Sequence, residues 1–141
     1  MSTLMEQIDI DAPAAAAWEQ LHRFDDYPKF VSGLRHANTR GADVAHLDVK
    51  AGGRERELEA TITDGDAGRV MAWETADSPG LKGEFTLRAL DAGHTRVQVR
   101  LDYDPDAVRE TFGGPKGFAQ SDAIAQTVRG DLERFKGLVE R

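Results

Sequence analysis

Residues 82–103 read KGEFTLRALDAGHTRVQVRLDY, and apolar and polar side chains alternate along most of this stretch. A period of two is typical of strands that bury one face and leave the other in water. The turn signal DAGH at 91–94 divides the stretch, which therefore predicts a β-hairpin. One long apolar stripe is available to cover the dry face of this hairpin. The stripe lies on the last helix, at successive spacings of four, four, three and four: Ile124, Val128, Leu132, Phe135 and Val139.

The chain before the sheet is predicted to form one strand and then two short helices. Alternation at residues 4–10 indicates the strand. Pro13 suits the first position of a helix because its missing N–H needs no partner there, and Asp11 or Ala12 then precedes it as the cap. A second start signal, DDYP at 25–28, predicts another short helix.

Strand signals dominate the middle of the chain. Residues 45–51 alternate, a Gly-Gly turn signal follows, and the next strand covers 54–63. Glutamate and threonine occupy its odd positions, which predicts a solvent face. Arg54 and Arg56 stand at even positions with the apolar residues, so strand parity directs both arginines toward the same side as Leu58.

Composition excludes several classes of function. The chain has 141 residues, the size of one domain, and 18 basic against 25 acidic residues give a net charge of −7, which opposes binding to nucleic acid. No apolar run approaches the roughly 20 residues of a membrane span, and no secretory signal is recognised, so we expect a cytoplasmic protein. The absence of cysteine excludes disulfides and thiol catalysis. The oligomeric state is left open.

Five segments carry a resemblance to a known family. They are IDIDAP at 8–13 with Trp18, DYPKF at 26–30, GEFTL at 83–87, TRVQV at 95–99 and GDLERFK at 130–136. Their order resembles the START-like superfamily, and more closely its polyketide cyclase/dehydrase and lipid-transport family, whose relatives include coenzyme Q-binding proteins of the COQ-ten type. The resemblance covers nearly the whole chain. It implies an α+β helix-grip fold: a curved antiparallel sheet of about seven strands wrapped around a long C-terminal helix, with two short helices after the first strand.

The same resemblance implies a single ligand-binding domain over residues 1–141. Members of the family bind apolar or amphipathic small molecules between the sheet and the last helix, and some are enzymes. We therefore expect a cavity for a lipid, an isoprenoid or a polyketide-like molecule, with no cofactor. The side chains expected to contact the ligand are Tyr27, Phe30, Leu47, Arg54, Arg56, Leu58, Trp73, Phe85, Leu87, Tyr103, Phe112, Phe118, Ile124 and Val128.

Two other functions stay open. The first is a polyketide cyclase, aromatase or dehydratase that uses the same cavity, and the resemblance supports it through family membership. In the aromatase/cyclase branch the matching strand carries inward tryptophans and then an arginine, whereas Arg56, Leu58 and Ile62 stand there in this chain, so a donor for a developing oxyanion is missing. The second is a protein-interaction module, which the polar outer face of the last helix, with Arg129 and Glu133, disfavours.

The two inward arginines have two interpretations. Buried guanidinium groups require partners, so Arg54 and Arg56 are candidates to bind the anionic or carbonyl head group of a ligand. Alternatively, they extend to water at the start of the strand or pair with Asp122 or Asp131 on the last helix.

No catalytic or metal-binding pattern is recognised in the sequence. The four histidines are far apart and lack a spacing such as H-E-x-x-H, so the sequence predicts no metal site. The acidic side chains at 55, 57 and 59 are predicted to be solvated. The glycine-rich segment at 113–117 lacks the form of a phosphate-binding loop and is interpreted as a hinge or lid beside a pocket.

Overall fold

A computed structural model describes residues 2–39, 43–51, 54–65, 69–75, 81–107 and 121–140 of the chain. Its elements, in chain order, are β1 (Ser2–Ile10), α1 (Ala14–Leu21), a 3-10 helix (Phe24–Lys29), β2 (Leu34–Thr39), β3 (Val44–Ala51), β4 (Arg54–Gly65), β5 (Val70–Thr75), β6 (Lys82–Asp91), β7 (His94–Tyr103) and α2 (Ser121–Val139). Within these ranges, no helix combines the length and the apolar character that crossing a bilayer requires.

The seven strands form one antiparallel sheet. Their order is β1-β7-β6-β5-β4-β3-β2, so each strand from β2 to β7 pairs with its neighbours in sequence, and β1 closes the far edge beside β7. The predicted hairpin of β6 and β7 is confirmed, with Phe85 opposite Val99 and Leu87 opposite Val97. The α+β prediction of about seven strands, two short helices after the first strand and a long last helix is also confirmed.

The core lies between one face of the sheet and the helices. From α2, Leu132 and Phe135 are buried together with the sheet residues Met71 and Val97. The ring of Phe135 lies 5.1 Å from that of Phe30 at an interplanar angle of 65°, an edge-to-face contact. The apolar stripe of the last helix therefore covers the dry face of the sheet, as the periodicities of the sequence predict.

Helix α1 begins one residue later than the sequence analysis predicts. Pro13 is not the first helical residue but the N-cap, with φ −64° and ψ 153°, and no side chain caps the helix. The Pro13 carbonyl accepts hydrogen bonds from the backbone N–H groups of Ala16 and Ala17 at 3.0 and 3.3 Å. Asp11 is not the cap, and its backbone N–H donates instead to the carboxylate of Glu140, the residue after α2, at 2.8 Å.

The last turn of α2 is attached to the end of β1 by polar contacts. Lys136 Nζ donates to the Asp9 carbonyl at 3.1 Å and to the Glu140 carboxylate at 2.6 Å. His94, the first residue of β7, joins the same region: its Nδ1 lies 2.7 Å from Asp91 Oδ1 and its Nε2 lies 3.6 Å from Asp11 Oδ1. These contacts place the C-terminal end of α2 on the β1–α1 junction.

The contact of His94 with Asp91 predicts a pH-dependent contribution to stability. Chiefly through their hydrogen bond, Asp91 raises the pKa of His94 above 6.5 and His94 lowers the pKa of Asp91 below 3.8. The contact therefore stabilises the folded state at pH values between the ordinary pKa of Asp91 and that of His94. This stabilisation is lost as pH rises through the raised pKa of His94. We expect His94→Asn to lower the melting temperature by a small amount at about pH 5.5 and by less at about pH 9.

Melting curves followed by circular dichroism check this expectation. Asp91→Asn is the matched variant because it removes the other partner, and the double variant should then melt like either single variant. An equal effect of His94→Asn at both pH values would show that the side chain acts through packing alone.

Candidate functional site

A cavity of about 350 Å³ lies between the inner face of the sheet and α2. Strands β3 to β7 form its wall, because the side chains at alternate positions of each strand point to this face. Helix α2 and the segment from the 3-10 helix to the start of β2 complete the enclosure. Nearly all of the lining is apolar, and the side chains that the sequence analysis did not select include Phe24, Val31, Leu34, Ala45, Val49, Ala60, Ile62, Met71, Val99, Leu101, Leu132 and Phe135.

Most of the predicted contact residues line this cavity. They are Tyr27, Phe30, Leu47, Leu58, Trp73, Phe85, Tyr103, Ile124 and Val128. Leu87 is buried in the adjoining core and is not part of the lining. Phe112, Phe118 and the side chain of Arg54 lie outside the described residues. Binding itself stays a prediction for each of these residues.

Arg56 does not face the cavity. Its side chain is exposed, its Nη1 donates to the backbone carbonyl of Glu55 at 3.3 Å, and it borders a separate groove that Asp48 and Glu57 also line. Strand parity sets the side of the sheet but not how much of that side is covered, and a long guanidinium side chain at the border extends to water. Asp131 does not pair with Arg56 either, since it binds Arg134. The structure thus agrees with the alternative in which Arg56 reaches solvent.

Tyr27 brings a hydroxyl group to the cavity, but its donor is already used. Tyr27 Oη donates to the backbone carbonyl of Leu21 at 2.6 Å. Burial raises the pKa of Tyr27 far above its ordinary value, with a further contribution from the charge of Asp64. The phenol is therefore neutral at physiological pH and acts mainly as part of the wall.

Asp131 of α2 places a carboxyl group on the apolar wall. It accepts hydrogen bonds from the backbone N–H of Ser32 at 3.0 Å and from Arg134 Nη2. Arg134 also donates to Ser32 Oγ at 2.7 Å and to the Phe30 carbonyl at 3.1 Å. Burial raises the pKa of Asp131 although Ser32 and Arg134 favour its charged form. The cluster connects α2 to the chain before β2 and gives the cavity a polar end.

The sequence analysis did not select Asp131 as a cavity residue, although a signal existed. Residue 131 follows Val128 by three positions and precedes Leu132, so helical spacing puts it beside the apolar stripe. A carboxylate at such a position is either a border residue or a functional group inside a cavity. The structure shows that it lies on the cavity wall.

The indole ring of Trp73 depends on the glycine opposite it. Gly83 of β6 is the Cα partner of Trp73 of β5. A Cβ atom added at Gly83 would lie 2.2 Å from Trp73 Cε2, far inside van der Waals contact. Glycine therefore leaves the space in which the indole ring forms part of the cavity wall.

Gly83→Ala should displace the indole ring and destabilise the fold. We expect a loss of about 1–3 kcal/mol in the free energy of unfolding, the range for an overpacked core. Trp18 is the other tryptophan of the chain, so fluorescence in a Trp18→Phe background reports on Trp73 alone. Gly65→Ala is the control, because no atom lies within 4 Å of the added Cβ. Unchanged emission and stability in Gly83→Ala would contradict this account of the wall.

The sequence profile described as polyketide cyclase / dehydrase and lipid transport matches residues 1–140. The chain belongs to this family. A relative from Streptomyces lincolnensis, an uncharacterized 17.2 kDa protein, is 32% identical over 141 residues, covering 99% of this chain and 91% of the relative.

Solved structures from this superfamily share the fold. The Zhui aromatase/cyclase from Streptomyces sp. R1128 superposes with a TM-score of 0.78 at 20% identity, over 99% of this chain and 94% of that one. A START superfamily protein from Mycobacterium smegmatis superposes with a TM-score of 0.77 at 13% identity, over 98% and 97% of the two chains. The START-like helix-grip prediction is therefore confirmed.

Proposed function

We propose that this family member binds a hydrophobic or amphipathic small molecule, such as a lipid, an isoprenoid or a polyketide-like compound, in the cavity under α2. The apolar cavity of about 350 Å³ is the observation that carries the proposal. Small-molecule sites measure about 300–1,000 Å³ and combine apolar walls with a few polar groups. Ser32 and Asp131 supply such groups here.

Burial of the ligand's apolar surface provides the affinity. Each 100 Å² of apolar surface removed from water contributes about 2.5 kcal/mol. Lost freedom of the ligand opposes this gain by about 4 kcal/mol or more. The two contributions balance at about 160 Å² of buried apolar surface, so a ligand that buries more than this is bound.

Asp131 supports an amphipathic rather than a fully apolar ligand. An unoccupied carboxylate lone pair on an apolar wall accepts a hydrogen bond from a ligand hydroxyl or enol more favourably than it does in water. The tail of such a ligand then extends along the aromatic wall that Trp73 and Phe85 form.

A cyclase or dehydratase is the second candidate, and Asp131 is the observation that favours it. A carboxyl group with a raised pKa inside an apolar cavity suits proton transfer to or from a bound chain. The likeness to an aromatase/cyclase fold is consistent with this reaction class. Against it, Ile62 stands where we expect the arginine of that branch, so an electrostatic donor is missing. Binding without turnover is thus the leading proposal.

Filling the cavity should abolish binding of a lipophilic probe. Ala60 of β4 lines the cavity, whereas its neighbour Thr61 is exposed. We expect Ala60→Leu to weaken binding of the fluorescent probe 1-N-phenylnaphthylamine at least about tenfold, or 1.4 kcal/mol, and Thr61→Leu to leave it unchanged. Melting curves must show that both variants fold. A wild-type protein that does not bind the probe, or Ala60→Leu binding it equally well, would refute the proposal.

Replacing Asp131 should separate recognition of the head group from burial of the tail. We expect Asp131→Asn to weaken binding of a long-chain alcohol about 10- to 150-fold, since a hydrogen bond to a charged acceptor contributes about 1.5–3 kcal/mol, and to leave the phenylnaphthylamine affinity nearly unchanged. Glu133→Gln, on the exposed face of α2, is the charge-matched control. Equal losses for both ligands would mean that Asp131 only maintains the wall. Turnover of a poly-β-keto substrate by the wild type, absent in Asp131→Asn, would favour the enzyme.

A further inference from the structure

Three side chains that bind metals in other proteins meet on the outer face of the sheet, opposite the cavity. His46 and Asp48 belong to β3 and Glu57 to β4, and one ligand atom from each lies within 4.8 Å of the others. Asp48 and Glu57 are Cα partners across the two strands. His46 shares their face because it precedes Asp48 by two strand positions.

Two of the three ligand atoms already have the spacing of a metal site. His46 Nε2 lies 3.2 Å from Asp48 Oδ1. Metal–nitrogen and metal–oxygen bonds to zinc are about 2.0–2.2 Å, so two donors on one tetrahedral ion lie about 3.3 Å apart. The Glu57 ligand atom lies within 4.8 Å of the other two, and its exposed side chain has room to change rotamer.

His46 is the most enclosed of the three side chains. The imidazole side chain is only 12% exposed. Its other nitrogen, Nδ1, is buried without a hydrogen-bond partner in the described part of the chain. Because Nδ1 is enclosed, Nε2 is the nitrogen through which His46 can reach an ion beside Asp48.

In the described ranges, neither carboxylate of the cluster forms an ion pair with a lysine or an arginine. Arg35, which is near, pairs with Glu55 at 3.6 Å. A groove of about 410 Å³, whose lining also includes Arg35 and Arg56, gives solvent access to the carboxylates of Asp48 and Glu57. The net charge of −7 of the whole chain also attracts cations.

We propose that His46, Asp48 and Glu57 form a binding site for a divalent transition-metal ion of the Zn²⁺ class. An imidazole with two carboxylates suits Zn²⁺ or its first-row neighbours, whereas Mg²⁺ and Ca²⁺ prefer oxygen ligands alone. Three protein ligands leave at least one coordination position to water or to an anion in the groove. The ion joins β3 to β4 directly behind Leu47 and Leu58, whose side chains line the cavity.

The sequence analysis predicts no metal site because it considers ligands that are close along the chain. His46 and Asp48 form a short H-x-D pair, and Glu57 follows nine residues later on another strand. The antiparallel register of β3 and β4 is what brings Glu57 opposite Asp48. Long-range pairing therefore creates the cluster.

Calorimetric titration of the tag-free, EDTA-treated full chain with Zn²⁺ tests this proposal. We expect saturable binding of one ion per chain and a melting temperature that rises with Zn²⁺ concentration. Glu57→Gln should weaken the affinity at least about tenfold, as loss of a metal ligand or its support does. Glu55→Gln is the matched control, because it removes the same charge from the same face of the same strand and should change the affinity less than about twofold.

The outcomes that would overturn the proposal are distinct. No saturable binding, several weak sites that Glu57→Gln leaves unchanged, or equal losses in the two variants would each show only nonspecific attraction to an acidic surface. Both replaced glutamates are exposed, so their substitution preserves the fold, and a melting curve without metal verifies this. Ala60→Leu should retain full Zn²⁺ affinity, which separates failure of the metal site from failure of the cavity proposal.

Discussion

The packing of α2 on the sheet is the constraint on which the rest of the structure depends. Its C-terminal half is held by buried contacts of Leu132 and Phe135 and by the polar contacts of Lys136 with the end of β1. Its N-terminal half carries Ile124 and Val128, which are only half-buried and line the cavity. The helix therefore covers the sheet without filling all of the space between them.

The two faces of β3 and β4 have different roles. Alternation along a strand makes neighbouring residues belong to opposite faces, so Leu47 lies on the cavity wall between His46 and Asp48 on the outside. Any ion that joins the outer side chains therefore acts on the strands that shape the cavity. The same pairing of strands supports an apolar site on one face and a charged cluster on the other.

The polar cluster of Asp131, Ser32 and Arg134 is the main departure of the cavity from an apolar core. Burial of a carboxyl group is unfavourable unless its hydrogen bonds and charge partners offset it. Ser32 and Arg134 supply these, yet the pKa of Asp131 is still raised. A carboxyl group whose pKa is shifted by burial in a cavity is a candidate for ligand binding or proton transfer.

The sequence alone determined the strand faces, the β6–β7 hairpin and the apolar stripe of α2, because each follows from a local period of two or about 3.6 residues. The family resemblance added the element order. Tertiary structure decided that Arg56 reaches water, that Asp131 enters the cavity and that Glu57 meets Asp48. These three features depend on strand register and on how far a helix covers a sheet. Register and coverage are both set by contacts between residues distant along the chain, which a local sequence pattern does not report.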